Sequence, residues 1–115
     1  MSDKPDAGYF VQLQRIVEGR KGASTEVSYI AKLFAKGRGK MAQKMGEEAV
    51  ETAIAAVSGT RQDTIEESAD LLFHLLVLLT DCGIRMEDVL AELKRREGIS
   101  GLDEKKSRMR KEAKP

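Results

Sequence analysis

The sequence predicts an all-α fold: an antiparallel pair of long helices flanked by short ones. Aromatic residues make up only 4% of the 115-residue chain, while Ala and Leu are frequent, which favours packed helices over strands. The two prolines, Pro5 and Pro115, lie near the chain ends, so nothing between them forces a helix to break. Between them, apolar residues recur at the spacing of a helix face.

Residues 1–7 read as a loose tail. A first helix fits Tyr9 to Glu18, with Phe10, Leu13, Ile16 and Val17 on one face. The stretch from Gly19 to Thr25, "GRKGAST", is a linker rich in turn residues. Ser28 is placed to cap a short second helix, Tyr29 to Lys36, which Gly37 and Gly39 then break. A third helix is expected from Lys40 to Ser58, with Gly59 as its stop. Gly46 lies inside it and suggests close approach of a ligand or another backbone. The fourth helix runs from Gln62 to Asp81, with Asp63 and Glu66 at capping-box spacing and Gly83 as the stop. A fifth fits Glu87 to Glu97. Its cap position falls on Arg85 or Met86, and Glu87 and Asp88 complement the helix dipole. Residues 1–98 therefore form one domain, and 99–115 a basic polar C-terminal tail with no room for a second fused domain.

Composition narrows the function classes. The net charge of +1 gives no global field for nucleic acid. Cys82 is the single cysteine, so no intramolecular disulfide forms, and a small buried or half-buried thiol is expected. The first ten residues lack the apolar run of a signal peptide. The densest apolar stretch, Leu71 to Leu79, is interrupted by His74 and is too short to span a bilayer. A cytoplasmic protein with no membrane partner is the expectation.

The two long helices differ as surfaces. On the third, Lys40, Lys44, Glu47, Glu48, Glu51 and Ala55 fall within roughly a third of the circumference. Met45, Val50, Ile54 and Val57 lie opposite, so one face is expected to pack and the other to be charged. The fourth is apolar around more than half its circumference, which implies burial in an oligomer. Its narrow polar stripe holds Glu67, Asp70 and His74 at i, i+3 and i+7. Glu48 and Glu51 precede Gly59 by eleven and eight positions, and Glu67 and Asp70 follow Arg61 by six and nine. The two acid pairs thus stand at similar heights and can face each other.

Solvation, or pairing with lysines, is the plain alternative for such acids. Here Lys44 precedes Glu48, the weaker order for an i,i+4 pair, and lies near a helix start, against the dipole. Four converging carboxylates repel unless something neutralises them. Hard oxygen ligands suit Mg²⁺, or Mn²⁺. His74 is either a core histidine bonded to a neighbouring acid or a substrate contact. The segment "KGRGKMAQK", Lys36 to Lys44, carries four cations in nine residues with two glycines, a plausible anion cradle with no P-loop pattern. Cations beside a carboxylate–metal cluster suit a polyphosphate ester.

Glu48-x-x-Glu51 followed by Glu67-x-x-Asp70 resembles the metal signature of the all-α nucleotide pyrophosphohydrolases, the MazG-like superfamily. More narrowly, "YIAKLFAKG", "KMGEEAVETAIAA", "EESADLLFHLLVLL" and "MEDVLAELKRREG" resemble the phosphoribosyl-ATP pyrophosphohydrolases of histidine biosynthesis. The resemblance runs from about Tyr9 to Gly98. It implies a dimer whose long helices form a four-helix core. It implies Mg²⁺-dependent attack of water on the triphosphate, giving phosphoribosyl-AMP and pyrophosphate. By motif match Glu48, Glu51, Glu67 and Asp70 are metal ligands, and Glu47 holds a second ion or orients water. Lys36 and Lys44 contact phosphate. Two other readings compete: a housecleaning (d)NTP pyrophosphatase using the same site, and a non-catalytic helical dimer that binds nucleic acid through its tail. The tail has no aromatic stacking residue, which counts against the last.

Overall fold

The computed structural model describes residues 4–26, 28–98, 105, 108 and 109. These form five helices: α1 (Gly8–Arg20), α2 (Tyr29–Ala35), α3 (Arg38–Ser58), α4 (Arg61–Asp81) and α5 (Met86–Arg96). No strand occurs among the described residues. Helices α3 and α4, 21 residues each, form an antiparallel hairpin with the most extensive helix contact of the chain. Each is about 31 Å long at the standard rise.

The hairpin turn is tight for a steric reason. A Cβ on Gly59 would lie 2.9 Å from the Ala55 carbonyl oxygen and 3.1 Å from a carboxylate oxygen of Asp63. Thr60 then caps α4: its hydroxyl accepts from the Asp63 N–H at 3.1 Å, and Asp63 Oδ2 accepts from the Thr60 N–H at 3.0 Å. The capping box is thus Thr60 with Asp63, not Asp63 with Glu66. Helix α4 begins directly after Thr60, which puts Asp63 at the third helical position.

Ser28 caps α2 as expected, its hydroxyl accepting from the Ala31 N–H at 3.1 Å. Gly37 alone breaks the chain between α2 and α3, with φ at +90°, a conformation that excludes most side chains. Gly39 is helical, within the first turn of α3, so it is not a breaker.

A core of Val17, Leu33, Met41 and Val77 joins α1 to α4, with Ile30, Phe34, Phe73 and Leu78 packed against it. Gln14, 1% exposed, ties α1 to the α4–α5 turn. Its amide donates to the Ile84 carbonyl at 2.8 Å and to the Thr80 hydroxyl at 3.3 Å, and its carbonyl accepts from the Met86 N–H at 2.6 Å. That last bond satisfies a backbone donor at the start of α5, where Arg85 offers no side-chain cap.

The faces of α3 are the reverse of the simple expectation. Its buried residues are Met41, Glu48 and Ala55, spaced by seven on the side turned to α4. Val50, Ile54 and Val57, on the apolar side, are 60%, 59% and 88% exposed. The mixed, charged face packs on α4, and the apolar stripe stays exposed among the described residues. On α4, Ile65 and Leu72 are likewise exposed. A Cβ added at Gly46 would meet no other part of the described residues within 4 Å, and the Cys82 thiol is exposed rather than buried. No helix among the described residues is long and apolar enough to cross a membrane. The tail predicted over 99–115 lies outside the described residues, apart from Lys105, Arg108 and Met109, which are exposed.

Candidate active site

Helical register brings the acids together. The seven-residue spacing that faces Met41 and Ala55 to α4 also turns Glu48 toward it. Across the groove, α4 presents Glu67 and Asp70. One carboxylate oxygen from each of Glu48, Glu67 and Asp70 lies within 4.8 Å of the other two. Glu48 is buried, Glu67 half-buried and Asp70 exposed, so the cluster opens to solvent at the Asp70 side.

Its polar groups are not satisfied by the protein. Glu48 Oε1 lies 3.4 Å from Lys44 Nζ, but Glu48 Oε2 and Glu67 Oε2 are covered and have no hydrogen-bond partner. A buried, unpartnered carboxylate oxygen is costly, and two of them in one acid cluster suit a cation. Burial, then the closeness of the Glu51 and Glu48 carboxylates, pushes the Glu67 carboxyl up to about 6. The hydrogen bond to Glu48 raises the Lys44 ammonium pKa. An all-carboxylate donor set is hard and suits a divalent cation of the Mg²⁺ or Mn²⁺ kind. Glu51, exposed, is not one of the three clustered acids. It borders the neighbouring cavity of about 290 Å³ together with Glu67 and Asp63.

His74 is buried, its ring edge against Phe73 with centroids 5.2 Å apart. The expected hydrogen bond to a neighbouring acid is not formed among the described residues. Burial lowers the imidazole pKa, opposed by the Glu48 and Asp70 charges, with Lys44 adding to the lowering.

A second space adjoins the cluster. Between the end of α2 and the first half of α3 lies a cavity of about 230 Å³. It is lined by Lys36, Lys40, Lys44, Tyr29, Gln43 and Glu47, above Leu33 and Met41. Lys44 borders both spaces. Glu47 and Glu48, one residue and about 100° apart, divide between them: Glu48 enters the cluster, and Glu47 lines the cavity, accepting from Gln43 Nε2 at 3.1 Å. Lys36 and Lys44, expected as phosphate contacts, both line this cavity. Lys40 and Gln43 belong to the segment read as an anion cradle; Tyr29 was not named. Its signal was present: Tyr29, Leu33 and Lys36 recur at the spacing of one helix face. Arg38, counted among the four cations of the cradle, turns away and pairs with Asp81 at 2.8 Å.

An acid cluster able to hold a cation, beside a cavity lined by three lysines, is chemically suited to a polyphosphate: a cation would neutralise the reacting group, and the lysines the remaining charge. Comparison with known proteins agrees with that chemistry. Residues 10–97 match the family model described as phosphoribosyl-ATP pyrophosphohydrolase. A phosphoribosyl-ATP pyrophosphatase of Paramagnetospirillum magneticum is 55% identical over 106 residues, covering 92% of this chain and 97% of the relative. One of Rhizorhabdus wittichii is 56% identical over 101 residues, covering 88% and 95%. One of Methylobacterium nodulans is 58% identical over 98 residues, covering 85% and 92%.

Proposed function

The chain belongs to the phosphoribosyl-ATP pyrophosphohydrolase family, and from that premise we propose that it hydrolyses phosphoribosyl-ATP to phosphoribosyl-AMP and pyrophosphate, the second step of histidine biosynthesis. The observation that carries the site assignment is the pair of covered, unpartnered oxygens, Glu48 Oε2 and Glu67 Oε2, beside a cavity lined by three lysines.

In this reading Glu48, Glu67 and Asp70 would hold Mg²⁺, with Glu51 as a further ligand beside Glu67. The ion, when bound, supplies charge neutralisation at the phosphate oxygens. Lys36, Lys40 and Lys44 hold the charge of the pyrophosphate that leaves. Glu47 lines the same cavity and orients the attacking water, its carboxylate steadied by Gln43. Water adds at the α-phosphorus, the bond from that phosphorus to the bridging oxygen breaks, and pyrophosphate departs with the electron pair. His74, buried next to Asp70 and Glu48, is assigned as a substrate contact. A second copy of the chain covers the exposed Val50, Ile54 and Val57 stripe of α3 with Ile65 and Leu72 of α4, giving a homodimer. Its exposed free cysteine suits the reducing cytoplasm.

The test is pyrophosphate release from phosphoribosyl-ATP with Mg²⁺, beside a panel of dNTPs. Cleavage of phosphoribosyl-ATP alone supports the assignment, and cleavage of dNTPs alone replaces it with a housecleaning activity. Glu48→Gln and Asp70→Asn abolish both turnover and the thermal stabilisation that Mg²⁺ gives the wild type.

A further inference from the structure

The segment Lys36–Gly37–Arg38–Gly39–Lys40 forms the elbow between α2 and α3. Two of its cations, Lys36 and Lys40, line the lysine cavity. The third, Arg38, goes the other way. Its Nε donates to Asp81 Oδ2 at 2.8 Å, and its terminal nitrogen donates to the Asp81 carbonyl at 2.8 Å. Asp81 is the last residue of α4, the helix that carries Glu67 and Asp70. Lys21 Nζ lies 3.7 Å from the other Asp81 oxygen and sits over the Phe34 ring, 5.4 Å from its centroid, at the last turn of α2. Cations flanking the elbow in the chain and in space thus converge on one carboxylate, whose side chain is 19% exposed.

The elbow needs such an anchor. Gly37 has φ at +90°, and a Cβ added at Gly37 or Gly39 would find nothing within 4 Å. Among the described residues, the space on the Cβ side of each glycine is open, so no neighbour there fixes the direction in which Lys36 and Lys40 leave the backbone. A two-pronged guanidinium, bonded to a carboxylate and a backbone carbonyl, restrains orientation as well as distance.

We infer that Asp81 and Arg38 are positioning residues that hold the lysine elbow in register with the carboxylates of α4, and so set the affinity of the cavity for the pyrophosphate end of the substrate. The inference rests on the reading of that cavity as the phosphate subsite. Neither residue lines the cavity, and neither touches the acid cluster. Their effect is therefore on binding and not on the chemical step.

Simple electrostatics and positioning predict opposite signs for Asp81→Asn. Removing a negative charge near the cavity tightens anion binding through the field alone. Releasing the elbow weakens it. The experiment measures pyrophosphate affinity by calorimetry on the full chain, with Mg²⁺ and again with a chelator, alongside kcat and KM for phosphoribosyl-ATP. Asp81→Asn and Arg38→Gln are each expected to weaken pyrophosphate binding and raise KM by about tenfold, with kcat within about twofold of wild type. The double variant is expected to match the singles, since both break one link. Arg38→Lys keeps the charge without the fork and falls between. Arg85→Gln, which breaks the Arg85–Glu18 pair at 2.9 Å away from the elbow, leaves both quantities unchanged.

Tighter or unchanged pyrophosphate binding in Asp81→Asn overturns the inference. So do additive single effects, or an equal loss in Arg85→Gln. A wild type that binds pyrophosphate without cleaving phosphoribosyl-ATP removes the proposed reaction and leaves the clasp testable by binding. A wild type that binds no pyrophosphate removes both.

Discussion

Replacing Glu48 by Gln is expected to stabilise the metal-free protein while abolishing its function. Glu48 is 6% exposed, with one oxygen unpartnered and two other carboxylates within 4.8 Å. Two unit charges at that distance repel by about 3 kcal/mol at an effective dielectric of 20. The cluster is open on the Asp70 side, so solvent reduces the value by about half. Losing the ion pair with Lys44, whose side chain is 44% exposed, returns less than about 1 kcal/mol. The net gain for Glu48→Gln is about 1 kcal/mol, which raises Tm by about 5 °C in a domain of this size. The assay is thermal unfolding at pH 8 in chelator, at fixed protein concentration, repeated with Mg²⁺. Wild type gains stability with Mg²⁺ and the variant does not, so their order reverses. A variant less stable than wild type in chelator refutes the view that these acids are held together against repulsion.

Other outcomes follow from the same structure. The folded Glu67 carboxyl titrates near 6, above the ordinary 4.5, so the folded state holds that proton more tightly than the unfolded one. Metal-free stability therefore falls as pH rises from about 4.5 through 6, and a pH series of Tm in chelator loses that step in Glu67→Gln. Metal affinity moves oppositely, weakening as pH drops through 6, because proton and cation compete for one carboxylate. Gln14→Leu leaves the Met86 N–H buried without an acceptor and the Ile84 carbonyl without its donor, at a cost of about 2–3 kcal/mol in urea unfolding. Lys40→Gln is expected to raise KM by about five- to tenfold with little change in kcat, a split that steady-state kinetics resolves.

Much of this arrangement is legible in the chain. The glycine at 59, the spacing of the acids and the helical periodicity on either side are enough to face Glu48 with Glu67 and Asp70. Periodicity also reveals that α3 has an apolar and a charged face, but it does not say which one meets α4. Apolar residues invite burial against any partner, including one outside the chain, and here Ala55 and Met41 let the charged side pack instead. Arg38 shows a related limit. Counting cations along a segment ignores the rotation of about 100° per residue that separates Arg38 from Lys40 once the helix begins. The Thr60 cap depended on placing a helix start to within one residue. Gln14 had no local signal at all, because its partners Thr80, Ile84 and Met86 lie 66 to 72 positions away.

The hairpin has a kinetic consequence. Glu48 and Asp70 are twenty-two positions apart, with a tight turn between them, so every acid of the cluster lies within one local unit of chain. Contacts of that kind form early and fast, before distant segments dock. The like charges are therefore expected to meet early in folding and to slow hairpin closure. A divalent ion present during synthesis or refolding is expected to relieve that slowing. The cation the enzyme uses as a tool would then also serve as a catalyst of its folding, visible as a refolding rate that rises with Mg²⁺ and loses that dependence in Glu48→Gln.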